Sequence, residues 1–540
     1  MTAAHRRAPA ALAVGAGVAI LAVAIAARFW RLRWGLTLGM AFTDELQMWP
    51  SYLNAFVPLR PESFLRADTP GAMVYPAFYG FLSGTAVAAA HALGLMSAPQ
   101  ADVFSALFMA RIVSATASTL NVLAVGALGW RSYSPQVGVL AAAFMAVVPL
   151  DAMQTHYASP DPLLELCITL ALLASCALAR ARGDAATLPA LLAGIASGLA
   201  FGAKYTGLVA MGACFWAMLE LAYRERSARP LLRVAPAALV GFVAAVALAC
   251  PPCVLQSDLM LRAMGFVSGA SSLQHLLFWK VHLLPSLGWY GRPYVYQLVA
   301  GFPFSFGWPL YVAALAGIVC ALRRRTVADR ILLLTAAAYY LSIGTSFVLE
   351  AQRYYLPLFP VLTVLAARAL IDLPWQVLRV AIAAAILAYT AALTFSQVAR
   401  FSYDQQHAVA AWIRSELAHD RTTPVRVGYP RGVDPYFNLR QPIIWAGLQP
   451  MPLPVKEWLD GEADAFVMPE WLAIRIRRDG REPDAERALE RLESGEAGWV
   501  PAARWRSGYL QDGLYTALDP IFAADLTQGE IGFTVYVRRR

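Results

Sequence analysis

Long apolar runs recur along most of the chain and are separated by short charged segments. A helix that crosses a bilayer needs about 20 predominantly apolar residues. We predict eleven spanning helices, at residues 9–27, 104–129, 136–150, 162–179, 188–203, 206–222, 234–250, 299–321, 331–349, 355–371 and 377–396. The first run could instead be a signal peptide, but it is long for one, so a retained first helix is favoured. The predicted fold class is an all-α polytopic membrane protein.

The pattern changes near residue 400, where the long apolar runs end. A helical pattern at 408–417 is followed by short strand-like runs at 425–428, 465–468 and 533–537, the last of which alternates as a strand does. We therefore predict two units. Residues 1–399 form the transmembrane module, and residues 400–540 form a small C-terminal α/β soluble domain.

Composition and charge support this division. The chain is 59% apolar and only 15% charged, whereas soluble domains are about 45–50% apolar and about 25% charged. Residues 400–540 hold 18 of the 44 basic and 20 of the 35 acidic residues, which leaves 26 basic and 15 acidic residues in the module. The net charge of +9 therefore arises beside the spans, where the positive-inside rule expects it. This distribution argues against nucleic acid as a partner.

The basic loops indicate how the chain crosses the membrane. With eleven spans they all fall on one side, which predicts a cytoplasmic N-terminus and an extracytoplasmic C-terminal domain in the plasma (inner) membrane of a bacterium. Two long external segments follow, 28–103 and 251–298. Residues 73–96 are apolar enough to cross, but prolines and glycines interrupt them and a further span would invert the later basic loops. We expect a re-entrant or interface-lying helix there.

Ionisable residues at a membrane are costly and are candidates for function. Asp44 and Glu45 are adjacent carboxylates in the first external segment. An ionised aspartate can accept a proton from a hydroxyl nucleophile, although a solvated acidic loop would look the same. Asp161 follows His156 and Tyr157 and precedes an apolar run, so it is either a site residue or a helix cap. One histidine and one aspartate do not define a metal site.

Cationic residues face these carboxylates in the predicted topology. Lys204, one of only three lysines, lies between two apolar runs and needs a carboxylate or a phosphate, unless it extends to the headgroups. Arg353, with Glu350 and Tyr354 beside it, suits either a phosphate clamp or an aromatic belt, and Arg111 has a similar ambiguity. Together the groups suit transfer from a lipid phosphate to a hydroxyl. Cys250 and Cys253 have redox spacing, but the end of an apolar helix is the simpler interpretation.

Several short motifs follow one another in a definite order. They are Arg28-Phe29, Asp44-Glu45, the proline-containing 69–76, Arg111, Ser159-Pro-Asp161, Lys204-Tyr-Thr-Gly and Arg353-Tyr-Tyr-Leu-Pro. In this order and placement the chain resembles the multi-spanning glycosyltransferases of the GT-C fold, in the protein O-mannosyltransferase, aminoarabinose-transferase and Rgt-like group. One departure is that the paired prolines of the first loop are separated here, at Pro70 and Pro76.

The resemblance implies an inverting glycosyltransferase that uses a polyprenyl-phosphate sugar donor. Its acceptor would be a hydroxyl group of a lipid, a polysaccharide or a protein at the outer face of the bilayer. No cofactor is required, although Asp44 and Asp161 could bind a divalent cation, Mg or Mn. The implied roles are Asp44 as general base with Glu45 orienting it, Lys204, Arg353 and Arg111 as ligands of the donor phosphate, and His156, Tyr157, Asp161, Glu350 and Tyr354 as pocket residues.

Two other classes of function fit parts of the pattern. A multi-span transporter would need inverted repeats or broken helices around a site at the membrane midplane, but the sequence has no internal repeat and its ionisable residues gather at one face. An envelope assembly protein would act through its outer domain and would not need the Asp44 cluster.

Overall fold

The structure, a computed structural model, describes residues 3–36, 75–97, 103–268, 294–343, 352–399, 401, 405–419, 421–431, 439–459, 461–479, 482–496, 498–505 and 532–538. The helices of the membrane module are α1 Ala3–Phe29, α2 Phe78–Ala92, α3 Val103–Ser132, α4 Pro135–Ala146, α5 Pro149–Gln154, α6 Asp161–Arg180, α7 Thr187–Ala203, α8 Val209–Glu225, α9 Leu231–Ala249, α10 Pro251–Leu255, α11 Ser257–Ser268, α12 Phe302–Phe306, α13 Trp308–Arg324, α14 Val327–Ile343, α15 Phe359–Ile371 and α16 Gln376–Ala399. Tighter 3₁₀ turns at Gly183–Ala186, Tyr205–Leu208 and Gln352–Leu358 and a π-helix at Gln297–Gly301 connect some of them.

The helical membrane architecture predicted from the sequence is confirmed. In the described part of the chain, seven segments are long and apolar enough to cross a bilayer, and the shorter helices Gly15–Phe29 and Pro135–Ala146 are also apolar. The count of eleven spans stays a prediction. The stretch 73–96 contains α2, whose 15 residues would extend about 22 Å. That length is less than the roughly 30 Å of a hydrocarbon core.

Two predicted spans are interrupted in the structure. The run 136–150 divides into α4 and α5, because Pro149 begins a new helix after the extended residue Val148. The run 299–321 divides into α12 and α13 at Gly307, whose φ of +87° is a conformation that favours glycine. Apolarity alone does not reveal either break.

Close packing of α7 on α9 fixes the position of Lys204. A Cβ on Gly194 would lie 2.0 Å from the carbonyl oxygen of Ala238, and one on Gly198 would lie 2.5 Å from that of Phe242. These two glycines are four residues apart, so they form one face of α7 that lets the two backbones touch. Lys204 follows the last turn of α7 in an extended conformation.

A buried ion pair joins α1 to the helices around it. Arg28 at the end of α1 pairs with Asp151 on α5, and both side chains are fully buried. The same guanidinium donates to Ser118 Oγ at 2.7 Å and to the carbonyl oxygen of Ala146 at 2.9 Å. Since a buried charge is tolerated only when it is paired and hydrogen-bonded, Arg28 has a structural role.

The C-terminal domain is a five-stranded mixed sheet with helices on both faces. Its elements are α17 Gln405–Leu417, β1 Arg426–Pro430, α18 Arg440–Trp445, β2 Gln449–Leu453, β3 Ala465–Pro469, α19 Glu470–Asp479, α20 Pro483–Ser494, β4 Trp499–Trp505 and β5 Phe533–Arg538. The strand order is β2-β1-β3-β5-β4, in which β1 is parallel to β2 and β3, and β5 is antiparallel to β3 and β4. The predicted small α/β domain is confirmed, while its boundary at 399/400 stays a prediction.

Candidate functional site

The predicted cation Lys204 meets a predicted carboxylate, Asp161. Lys204 Nζ donates to Asp161 Oδ1 at 2.7 Å, and the two side chains are only 11% and 3% exposed. The two residues are 43 positions apart, one at the end of α7 and the other at the start of α6. The expectation that Lys204 needs an anionic partner is therefore met within the chain.

The backbone beyond Lys204 holds that residue in place. The Lys204 N–H still donates to the carbonyl oxygen of Ala200, and the Lys204 carbonyl accepts from Gly207 N. A Cβ on Gly207 would lie 2.2 Å from the backbone of Ala200, so only glycine allows this return of the chain onto α7. The lysine thus leaves the helix at a fixed point.

Asp161 is oriented by a chain of hydroxyl groups. Ser159 Oγ donates to Asp161 Oδ2 at 2.8 Å, and the Ser159 backbone is bonded through both its N–H and its carbonyl to Ser114 Oγ. The hydroxyl group of Tyr79 on α2 lies 2.9 Å from the same Ser114 oxygen. Both oxygens of Asp161 are therefore engaged, one by Lys204 and one by Ser159.

Aromatic rings surround the ammonium group. Lys204 Nζ lies 4.3 Å from the ring centroid of Tyr354 and 5.5 Å from that of Tyr75, and the guanidinium of Arg353 lies 5.5 Å from the Tyr354 centroid. Tyr354 is thus within cation–π range of two cations. Burial raises the pKa of Tyr75 to about 12, and the charge of Lys204 only partly offsets this. Tyr75 therefore stays neutral and can donate a hydrogen bond.

Lys204, Asp161, Tyr75, Arg353 and Tyr354 form the Lys204 cluster, and this arrangement can bind an anion. An ammonium group carries three N–H donors, and Asp161 takes one of them. The others, together with the guanidinium of Arg353 and the phenol of Tyr75, can donate to the oxygens of a phosphate. Since a phosphate recognised by arginine and lysine forms charge-assisted hydrogen bonds, such a site would be strong as well as specific.

His156 and Tyr157 contact Phe401 and the residues that follow α1. His156 is fully buried and stacks on Phe401 with ring centroids 4.3 Å apart. Its Nδ1 is 2.9 Å from the carbonyl oxygen of Ala152 and its Nε2 is 2.8 Å from that of Trp30. Burial lowers the pKa of His156 to about 4, and the two carbonyl oxygens only partly oppose this shift.

The predicted pocket roles of His156 and Tyr157 stay predictions. Tyr157 is 2% exposed and packs edge-on against Trp34 and Phe401. Both side chains belong to an aromatic junction between the end of α1, the segment before α6 and Phe401. Their contacts hold these segments together.

Arg111 lies beside the turn that follows α1. It is fully buried in α3, its Nη1 donates to the carbonyl oxygens of Leu32 and Trp34 at 3.1 and 2.9 Å, and its guanidinium lies 4.9 Å from the ring centroid of Trp34. These contacts fix the turn that follows α1. The predicted role of Arg111 as a ligand of the donor phosphate stays a prediction.

The remaining predicted site residues, Asp44, Glu45 and Glu350, lie outside the residues that the structure describes, so their roles stay predictions. In the described part of the chain, no three His, Cys, Asp or Glu side chains converge as a metal site requires. Both oxygens of Asp161 accept hydrogen bonds, from Lys204 and Ser159. A divalent cation held by Asp44 and Asp161 stays a prediction, because Asp44 lies outside the described residues.

Sequence reasoning missed two parts of the site. Tyr75 lies within the proline-containing stretch 69–76. The prediction for that stretch used its prolines and did not consider its aromatic residue. The second part is a disulfide between Cys250 and Cys253, which lies beside the site. Both cysteines are buried in a cluster that includes Tyr75, Phe201 and Tyr205. The helix-end interpretation of these cysteines is compatible with this position.

Part of the chain matches a known protein family. Residues 102–254 match the family model described as dolichyl-phosphate-mannose-protein mannosyltransferase. That range contains Asp161 and Lys204 but not Arg353. A comparison with curated protein sequences found no significant match.

Solved structures of membrane proteins match almost the whole chain. The archaeal oligosaccharyltransferase AglB from Archaeoglobus fulgidus, in complex with an inhibitory peptide and a dolichol-phosphate, has a TM-score of 0.51 and 13% identity, over 92% of this chain and 73% of its own. ArnT from Cupriavidus metallidurans, bound to undecaprenyl phosphate, has a TM-score of 0.48 and 15% identity, over 87% of this chain and 94% of its own. The chain therefore has the GT-C fold, and over residues 102–254 it is similar to the dolichyl-phosphate-mannose-protein mannosyltransferases.

Proposed function

We propose that the chain is a glycosyltransferase that moves a sugar from a polyprenyl-phosphate donor to a hydroxyl acceptor. The observation that carries this proposal is the Lys204 cluster, in which a buried ammonium group gives one of its three N–H donors to Asp161 and lies beside Tyr354 and Arg353 in the described part of the chain. The similarity of residues 102–254 to dolichyl-phosphate-mannose-protein mannosyltransferases supports a lipid-phosphate sugar as the donor. The AglB structure contains a dolichol-phosphate, which is a molecule of the same class.

The reaction forms one bond and breaks another at the anomeric carbon. The acceptor oxygen attacks that carbon while the bond from the carbon to the phosphate oxygen breaks, and the configuration inverts. The hydroxyl proton passes to the carboxylate of Asp44, with Glu45 orienting it. The bonding electrons leave with the lipid phosphate, whose growing negative charge is stabilised by Lys204 and Arg353.

Asp161 contributes to this reaction through Lys204. Its carboxylate keeps the ammonium group charged and aimed, while Ser159 keeps the carboxylate from turning away. A site that is organised before the substrate arrives stabilises the developing charge without rearranging during the reaction. Asp161 is therefore proposed as a positioning residue and Lys204 as a phosphate ligand.

We propose that the reaction takes place at the outer face of the membrane. The cluster and the C-terminal domain lie on the extracytoplasmic side of a bacterial inner membrane, where a lipid-linked sugar would present its reacting carbon. A disulfide between Cys250 and Cys253 in the wall of the site is compatible with an oxidising compartment. The acceptor is a lipid, a polysaccharide or a protein, and the glycan profile of a deletion strain would identify it.

The test is sugar transfer in proteoliposomes that contain the full chain and a radiolabelled polyprenyl-phosphate sugar. We expect label to move to a hydroxyl acceptor with the wild-type chain, and transfer to fall at least about a hundredfold with Asp44→Asn, as for loss of a general base. Uptake of sugar into the vesicles without any transfer would identify a transporter and refute the proposal. Full activity of Asp44→Asn would refute the assignment of the base.

A further inference from the structure

An apolar groove of about 560 Å³ lies between α13, α14 and the beginning of α15, separate from the Lys204 cluster. Its walls are aliphatic and aromatic side chains, among them Leu315, Leu334, Ala337 and Leu362. Leu315 and Leu334 remain 39% and 40% exposed, so the groove opens sideways from the helices. Its volume falls in the usual range for a bound small molecule, about 300–1,000 Å³.

The two ends of the groove differ in chemistry. Phe302 and Tyr340 line one end, and their rings pack against Tyr355, next to the site residue Tyr354. Arg325 and Arg330 line the other end. Arg330 and Tyr340 line opposite ends and are ten residues apart on α14, so the two ends are about 15 Å apart along that helix.

The basic end carries a cation without a carboxylate partner. Arg330 forms two hydrogen bonds to Glu220, one of them at 2.6 Å, and Arg324 pairs with Asp372. Arg325 has no acidic partner among the residues the structure describes. Its Nε donates to the carbonyl oxygen of Leu322, one turn back on its own helix. A third local carboxylate, Asp329, is buried and accepts hydrogen bonds from Thr326 and Tyr133. Among the described residues none of the three carboxylates pairs with Arg325, so its positive charge remains at this end of the groove.

We propose that this groove binds an anionic phospholipid, with its phosphate on Arg325 and one acyl chain between α13 and α14. A chain of methylene groups matches the walls, and an arginine at the bilayer surface matches a phosphate diester. The lipid enters from the leaflet at the Arg325 end, which is opposite to the leaflet that faces Lys204.

The position of the charge distinguishes this lipid from the sugar donor. A polyprenyl chain that began at a phosphate on Lys204 would enter the groove from the tyrosine end and would gain nothing from a cation at the opposite end. A phospholipid from the opposite leaflet uses both the apolar walls and Arg325. The inference therefore stands whether or not the chain transfers sugars.

Native mass spectrometry of the full chain tests the headgroup contact. The delipidated protein is titrated with phosphatidylglycerol and with phosphatidylcholine. We expect the wild type to prefer phosphatidylglycerol and Arg325→Gln to lose about tenfold to a hundredfold of its affinity, as for one charge-assisted hydrogen bond. Arg325→Lys should keep part of the affinity. Arg229→Gln is the matched control, because Arg229 is exposed in the loop that follows α8, on the face where Glu220 meets Arg330.

A second pair of variants tests the acyl chain. Ala337 lines the groove, whereas its neighbour Ala338 is exposed and does not line it. We expect Ala337→Trp to fill the groove and weaken phosphatidylglycerol binding, and Ala338→Trp to leave binding unchanged. Labelling of the buried thiols Cys167 and Cys214 reports whether each variant is folded.

Three outcomes would overturn the proposal. Equal affinity of Arg325→Gln and Arg229→Gln for phosphatidylglycerol would show that no headgroup binds at Arg325. Equal affinity of the two tryptophan variants would show that no chain lies in the groove. One-for-one displacement of phosphatidylglycerol by a polyprenyl monophosphate would assign the groove to the donor.

Discussion

Replacing Asp161 with asparagine removes the carboxylate that neutralises Lys204 in a nearly closed site. The two side chains are 3% and 11% exposed, and their charged atoms are 2.7 Å apart. Removing one partner of a buried ion pair costs about 3–5 kcal/mol of unfolding free energy, because the other charge remains buried. Asparagine still offers an oxygen to Lys204, so we expect the lower end of this range, about 3 kcal/mol.

The double variant Asp161→Asn/Lys204→Met tests whether the instability of the single variant arises from an unpaired buried charge. With both charges removed, no uncompensated ion remains, so we expect a loss of only about 1 kcal/mol. The loss should therefore be smaller than that of either single variant. Asp184→Asn is the control, because Asp184 is 92% exposed and its pair with Arg233 should be worth less than about 1 kcal/mol.

Buried thiols provide the assay. Cys167, Cys176 and Cys214 are free and buried, so a fluorescent maleimide reacts with them only when the module opens. Cys320 is partly exposed and is replaced by serine in every variant to lower the background. If Asp161→Asn labelled at the same temperature as the parent, or if the losses of the two single variants simply added, the ion pair would not be coupled as inferred.

Three further variants test other parts of the structure. Tyr354→Leu should weaken binding of a polyprenyl phosphate about twofold to fivefold through loss of the cation–π contact, while Tyr354→Phe should not; a fluorescent-lipid titration measures both. Gly198→Leu should lower the labelling temperature because its side chain would collide with α9, whereas Gly212→Leu, which has open space, should not. Partial burial raises the pKa of Asp464, but the hydrogen bonds from the Arg426 N–H and Arg421 outweigh it and leave the pKa below the usual value of 3.8. This pKa is lower in the folded state, so the resulting stability is present above pH 3.8 and is lost as the pH falls through the folded pKa. Hydrogen exchange of β3 should show this loss, and Asp464→Asn should remove it.

Elements with a strong local pattern could be predicted from the sequence. The run 162–179 differs from α6, Asp161–Arg180, by one residue at each end, and the run 188–203 differs from α7, Thr187–Ala203, by one residue at its start. In the C-terminal domain the predicted strands overlap β1, β3 and β5. Strand β2 was not predicted because it contains two prolines, which its position at the edge of the sheet allows.

Partners that are distant in sequence could not be predicted. The cost of burying Lys204 required an anionic partner, but nothing local indicated that Asp161, 43 residues earlier, would provide it. The ionisable residues Arg111 and His156 carried a functional signal, yet the structure bonds both to backbone carbonyl oxygens near the end of α1. Chemical type therefore indicated which residues are costly to bury, while the packing of α1, α3 and α6 decided what they contact.

The most direct measurement is the dissociation constant of a polyprenyl monophosphate for the full chain in nanodiscs. Lys204→Met should weaken binding by about tenfold to a hundredfold, since it removes a charge-assisted hydrogen bond to the phosphate. Lys456→Met removes the same charge from an exposed position in the C-terminal domain and should bind as the wild type does. Equal affinity of Lys204→Met and Lys456→Met would contradict the assignment of the Lys204 cluster as the phosphate site.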